Sequence, residues 1–209
     1  MIDGDILAWA RMGGLLPAVV QDADSGEVRM LGYMNREALD ATIDKGFVTF
    51  FSRSRNRLWR KGESSGHTLE LVTIAADCDG DALLVTARPM GPTCHAGSTS
   101  CFGDRQSQGT GFIADLARVL VERAGADPSA SYTARLLEQG TKRIAQKVGE
   151  EGVETALAGV AGNDAELASE AADLVYHLTL LLQARGLRWQ AVIDELRGRH
   201  ADSSATASS

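Results

Sequence analysis

The chain has 209 residues, 44% of them hydrophobic and 23% charged, with a formal charge of −7. That length allows one large domain or two small ones, and the composition is that of a soluble globular protein. The acidic balance argues against a general nucleic-acid or membrane-surface binder, and no apolar run approaches the roughly 20 residues of a membrane-spanning helix.

The first half reads as β-rich. Leu15–Gln21 and Val28–Tyr33 flank Asp22-Ala23-Asp24-Ser25-Gly26, a hairpin with a longer loop. Asn35 is placed to cap a short helix from Arg36 to about Asp44, which Gly46 ends. Phe47–Ser52 is a further strand, and Thr68–Asp77 and Ala82–Arg88 are long strands on either side of a turn. This half is α+β with mostly antiparallel pairing.

Between these strands runs a basic segment. If it is extended, Arg53, Arg55 and Arg57 share one face, which is self-repulsive unless an anion sits there. Trp59, Lys61, Gly62, Glu63, Ser64 and Ser65 follow, and the glycine and hydroxyls suit a phosphate. The bland alternative is a solvated basic loop. His67 is a candidate acid or base, although a lone histidine is more often structural.

Asp77-Cys78-Asp79-Gly80-Asp81 is the densest chemical stretch, and Cys94 and Cys101 are the other cysteines. On a strand, Asp77, Asp79 and Asp81 would point one way and Cys78 the other. Carboxylates suit Mg²⁺ and thiolates suit Zn²⁺. Three thiolates fill three of zinc's four positions, and an open fourth position marks a catalytic site. Taken singly, an Asp-Gly-Asp run is a solvated turn and a lone cysteine a small buried hydrophobe. Three cysteines with acidic Asp3 and Asp5 at the start, rather than a signal pattern, fit a reducing cytoplasm. The stretch lacks the H-x-E and P-C-x-x-C elements of nucleobase deaminases.

Domain boundaries follow from a change of period. Residues 1–104 form the first domain and polar, Gly-rich 105–111 a linker. Residues 112–200 form a helical bundle, and 201–209 a small, polar, disordered tail. Ile113, Leu116, Ala117 and Leu120 stripe a first helix, which ends at Gly125–Pro128. A second helix is expected from Thr133 to Ala161, loosened at Gly140 and Gly152. Asn163 or Asp164 caps a third, which stops near Gly186, and Trp189, Val192, Ile193 and Leu196 stripe a fourth. The single-chain core is small, so pairing with a second chain is expected.

The bundle carries acids on consecutive helices. Glu150, Glu151 and Glu154 lie within about one turn, and Glu166, Glu170, Asp173 and His177 share a face. Glu150 and Glu154 repel at i,i+4, and Glu170 and Asp173 at i,i+3. A divalent cation between the helices would reverse that cost; a solvated acidic face is the alternative.

Both halves resemble known families. Trp59–His67, Asp77–Asp81, and Gly91–Gly97 with Ser100-Cys101-Phe102 resemble phosphoribosyl-AMP cyclohydrolase. Ser131-Tyr132-Thr133, the Glu-Glu-x-x-Glu of Lys147–Glu154, and Glu170-x-x-Asp173 resemble phosphoribosyl-ATP pyrophosphohydrolase, a MazG-like helical fold. Together they resemble the bifunctional family of histidine biosynthesis. The resemblance implies zinc on Cys78, Cys94 and Cys101, shared between the chains of a dimer, with His67 and His95 as candidates for proton transfer. It implies Mg²⁺ on Asp77, Asp79 and Asp81, and Mg²⁺ on Glu150, Glu151, Glu154, Glu170 and Asp173. Glu151 and Glu154 are the candidate catalytic glutamates, and Lys147 either contacts phosphate or pairs with Glu151. Two rival readings remain: a non-enzymatic zinc-stapled binding module fused to a helical dimerisation domain, and a nucleotide pyrophosphatase whose first half is a non-catalytic zinc-binding module or a degenerate regulatory domain.

Overall fold

The computed structural model describes residues 2, 4–104 and 107–205, with the backbone alone at 201–205. The chain divides into two compact units, Met1–Phe112 and Ile113–Ser209.

In the first unit, β1 (Leu16–Asp22) and β2 (Val28–Met34) form the expected antiparallel hairpin. Its corner is held by Asp22, whose Oδ1 accepts from the backbone N–H groups of Asp24 and Ser25, each at 2.9 Å. The other carboxylate oxygen, Oδ2, takes two bonds from Arg29, at 2.8 and 3.0 Å, with both side chains almost wholly buried. Helix α1 (Arg36–Lys45) starts at Asn35, whose Oδ1 accepts from Ala38 N, and stops at Gly46, which adopts a left-handed φ of 70°.

A two-stranded sheet follows, made of β3 (Thr49–Ser52) and β4 (Arg57–Arg60). β4 was not expected, because it lies inside the basic segment. β5 (Leu69–Ala76) and β6 (Leu83–Pro89) flank the aspartate turn. The main sheet has the order β2-β1-β6-β5, antiparallel except for β1 against β6. Leu16, Ala18, Val20, Leu83, Val85 and Ala87 form the centre of its core, together with Met34, Leu39 and Phe50. Gly32 leaves room for the Phe50 ring, which any added Cβ would strike. Gly32→Ala should therefore cost about 1–3 kcal/mol through overpacking. Urea unfolding would measure it, and an unchanged midpoint would refute the steric account.

The second unit is helical: α2 (Phe112–Ala124), α3 (Tyr132–Gln139), α4 (Thr141–Ala161), α5 (Asp164–Ala184) and α6 (Trp189–Ala205). The long second helix is cut in two at Gly140, whose φ of 85° and ψ of 169° are not helical. Gly152 stays inside α4 without a break. Asn163, rather than Asp164, caps α5. α6 runs to Ala205, five residues into the stretch expected to be irregular; positions 206–209 lie outside the described residues. The buried core is Leu120, Leu136, Ile144 and Leu180. Val153, Leu157 and Val160 form an exposed apolar stripe along α4, 60%, 63% and 91% accessible.

Candidate active sites

The aspartate stretch is the turn between β5 and β6, not a strand. Asp77 Oδ1 accepts from the backbone N–H of Asp81 at 2.9 Å and of Ala82 at 3.1 Å, closing the turn on itself. Those donors, Ala82 first, hold the Asp77 carboxyl below its usual range. Along a strand, Asp77 and Asp81 would be roughly 13 Å apart. The turn instead brings one oxygen from each of Asp77, Asp79 and Asp81 within 4.8 Å of one another. Partial desolvation, then the charges of Asp79 and Asp77, push the Asp81 carboxyl up. Hard oxygen donors so gathered fit Mg²⁺. Arg11, which carried no motif signal, also reaches this turn.

The thiols divide differently. Cys94 and Cys101 lie together, in thiol contact, on the loop after β6. Cys94 is held by its own turn, with Ala96 N 3.5 Å from Sγ. Cys101 is pinned to β2 by its N–H donating to Arg29 O at 2.8 Å, beside Ser100 Oγ donating to Val28 O at 2.8 Å. The Ala96 N–H lowers the Cys94 thiol, while burial and then Cys94 raise that of Cys101. Cys78 is exposed on the aspartate turn and does not join this pair in a three-ligand group. Three thiolates on one zinc therefore do not come together within one chain, because Cys78 travels with the turn and the other two with the later loop. None of the three is in a disulfide.

His95 Nδ1 lies 3.9 Å from Cys94 Sγ. The His67 ring packs against Gly91, where a Cβ would approach it to 2.8 Å. Both candidate histidines therefore border the thiol loop, His95 at Cys94 itself and His67 at its first turn.

The basic segment is not extended. Residues 53–56 turn, with Asn56 at φ 49°, so the three arginines do not share a face. The Arg53 guanidinium stacks over the Tyr33 ring at 4.0 Å. Arg55 N–H donates to Ser52 Oγ at 3.4 Å, and Arg57 pairs with Glu63 at 2.6 Å. That pairing holds the Glu63 carboxyl low. Trp59 stacks on Phe50, with centroids 5.8 Å apart, and packs on the core. Lys61 is buried and donates to His67 O at 3.1 Å; desolvation lowers its ammonium, and the nearby Cys101 and Cys94 oppose that. Gly62, at φ 83°, admits the His67 backbone where any Cβ would collide with it. Ser65 Oγ accepts from His67 N at 3.3 Å, and Ser64 is exposed. Lys61 and Gly62 thus close the loop that sets His67 against Gly91, at the start of the thiol loop.

In the second unit, carboxylate oxygens of Glu151, Glu154 and Glu170 lie within 4.8 Å of one another, between α4 and α5. Glu151 is buried, and Lys147 Nζ bridges it at 2.7 Å and Glu150 at 3.0 Å. These two contacts raise the Lys147 ammonium and lower both glutamates. Desolvation, then Glu151 and Glu170, push the Glu154 carboxyl up. Glu150 also bonds Gln146 and faces Arg143 at 3.5 Å, away from the cluster. Asp173 stands outside the 4.8 Å group; its carbonyl accepts from His177 Nδ1 at 2.9 Å. His177 Nε2 meets Tyr132 OH at 3.2 Å, and Thr133 Oγ1 meets Tyr176 OH at 2.7 Å, so the Ser-Tyr-Thr motif ties α3 to α5.

The comparisons with known proteins follow this division. Residues 30–103 match the phosphoribosyl-AMP cyclohydrolase family, and 113–200 match the phosphoribosyl-ATP pyrophosphohydrolase family. The chain is 60% identical over 194 residues to a Salmonella typhimurium protein named histidine biosynthesis bifunctional protein HisIE, covering 93% of this chain and 95% of that one. Proteins of the same name from Escherichia coli and Xanthomonas campestris are each 59% identical, the first over 93% of this chain and 95% of its own length, the second over 94% of each.

Proposed function

Because this chain belongs to the bifunctional histidine-biosynthesis family that joins a phosphoribosyl-AMP cyclohydrolase to a phosphoribosyl-ATP pyrophosphohydrolase, we propose that its two units catalyse consecutive hydrolyses. The helical unit releases pyrophosphate from phosphoribosyl-ATP, and the β-rich unit then opens the adenine ring of the phosphoribosyl-AMP formed. The observation that carries this is the pair of separate acidic clusters, one in each unit, with a thiol pair accompanying only the first.

In the helical unit, Glu151, Glu154 and Glu170 would hold Mg²⁺, which supplies charge neutralisation for the polyphosphate and orientation of a water. Glu154, the exposed member of the group, is the better placed of the catalytic glutamates to reach that water. Lys147 is held between Glu150 and Glu151, so its first role is to fix the buried Glu151 rather than to bind phosphate.

In the β-rich unit, the soft Cys94–Cys101 pair suits zinc, which supplies a water of pKa near about 7. Exposed Cys78 from a second copy of the chain would complete the set, making the enzyme a homodimer. The bare apolar stripe on α4 supports pairing in the helical unit as well. Ribosylation at N1 makes C6 of the adenine electron-poor, and His67 and His95 would move protons as water adds there and the ring opens. Asp77, Asp79 and Asp81 would anchor phosphate or ribose through Mg²⁺. No described helix is long and apolar enough to cross a membrane, and a cytoplasmic location is in keeping with this chemistry.

The test follows pyrophosphate release and the absorbance change of ring opening together, on zinc-loaded protein with phosphoribosyl-ATP and Mg²⁺. Both signals are expected, with ring opening alone lost to a zinc chelator. Pyrophosphate without ring opening would reduce the first unit to a binding module. Asp79→Asn should cost most of the ring opening while zinc content, measured by atomic absorption, stays unchanged. Loss of zinc instead would show that the two metals have been divided wrongly.

A further inference from the structure

Arg11 lies outside every motif noted above and outside the stretch 30–103 that matches the cyclohydrolase family. One of its nitrogens, Nη2, nevertheless stands 2.8 Å from Asp79 Oδ2, 3.2 Å from Asp81 Oδ2 and 3.1 Å from the Asp79 carbonyl oxygen. The segment that carries it is fastened to the aspartate turn. Ala8 N donates to Gly80 O at 2.8 Å, Trp9 Nε1 donates to Gly4 O at 2.9 Å, and Leu7 is buried in the sheet's core. A Cβ on Gly80 would come within 3.1 Å of Ile6 O, so segment and turn fit closely. Topology accounts for the meeting. β1 and β6 run parallel, with Ala18 opposite Leu83, so both strands begin at the same end of the sheet. The residues just before β1 and those just before β6 are therefore neighbours.

A guanidinium and a divalent cation compete for the same lone pairs on Asp79 and Asp81. We infer that Arg11 is the resident counter-ion of the aspartate site. It offsets the carboxylates in the free protein, yields them when a divalent cation enters, and is then free to pair with the substrate's phosphate, for which the arginine fork is suited. The inference rests on the reading of Asp77, Asp79 and Asp81 as a Mg²⁺ site.

The test uses full-length, zinc-loaded protein carrying Glu154→Gln and Glu170→Gln, which silences the helical cluster. Mn²⁺ is titrated in and free Mn²⁺ is read by electron paramagnetic resonance. Adding Arg11→Gln should tighten Mn²⁺ binding about 1.5- to fivefold, the range expected when an exposed ion pair is removed. In the otherwise native protein, Arg11→Gln should raise the KM for phosphoribosyl-AMP about tenfold, while Arg11→Lys, which keeps the charge but not the fork, stays near native for Mn²⁺ and falls between the two in KM. Unchanged or weaker Mn²⁺ binding in Arg11→Gln overturns the counter-ion role, and an unchanged KM overturns the phosphate role. If the background protein binds no Mn²⁺ that Asp79→Asn removes, the metal reading itself falls. That outcome is distinct from a failure of Arg11 alone.

Discussion

Cys101→Ala should abolish ring opening and lower zinc content while leaving pyrophosphate release intact. Cys101 sits in thiol contact with Cys94 and is held to β2 by its own backbone N–H. That backbone anchor survives the substitution, so the loop keeps its course and the loss falls on the metal. Even the outer partners of a metal's ligands are worth about 10–100-fold, so loss of a ligand should exceed about 100-fold in ring opening. The helical unit has its own core and its own acids, so it should not respond. Retained ring opening in Cys101→Ala protein would sink the zinc mechanism. A parallel loss of pyrophosphate release would mean that the units are not independent.

Glu154→Gln should give the reverse pattern. Glu154 is the exposed member of the Glu151, Glu154 and Glu170 group, and its raised carboxyl reflects the charges that crowd it. The amide removes one of those charges and the proton-accepting oxygen without changing size. Pyrophosphate release should fall by about 100-fold or more, on the same scale as loss of a metal ligand, with the protein still folded. Ring opening of supplied phosphoribosyl-AMP should be unchanged. The sign of the raised carboxyl also sets a pH dependence. As pH falls, Glu154 protonates ahead of Glu151, which Lys147 holds low, so Mg²⁺-dependent release should decline before Glu151 begins to titrate. Full release in Glu154→Gln protein would leave the acidic cluster as a structural feature only.

Legibility in the sequence followed the range of the signal. Asn35 and Gly46 announce α1 from its ends, because capping is local, but glycine alone does not tell the break at Gly140 from the unbroken helix at Gly152. Helical spacing discloses that α4 and α5 both carry acids but not which of them meet: Glu151, Glu154 and Glu170 converge, while Glu150 pairs with Lys147 and Arg143 and Asp173 stands outside the group. The Asp77–Asp81 convergence was read from the wrong geometry. A turn, not strand alternation, gathers those oxygens, and Asp77 builds that turn by capping its own backbone. Long-range partners left no trace. The spacing of Arg53, Arg55 and Arg57 could not disclose Tyr33 under one arginine and Glu63 beside another. The parallel pairing of β1 with β6, which brings Arg11 to the aspartates, is a property of topology and not of any segment. The separation of Cys78 from Cys94 and Cys101 is of the same kind.

The buried pair of Asp22 and Arg29 bears on the thiol loop. Each side chain is almost wholly enclosed, and Arg29 also supplies the carbonyl that receives Cys101. Arg29 also pairs with Glu27 at 2.9 Å, so losing Arg29 strands Asp22 away from water at about 3–5 kcal/mol, whereas losing Asp22 leaves Arg29 a second carboxylate but frees the turn N–H groups that Asp22 holds. Asp22, Arg29 and Glu27 therefore act as one charged unit. A change in that unit is passed to the thiol loop, because the strand that carries Arg29 is the one on which Cys101 is anchored.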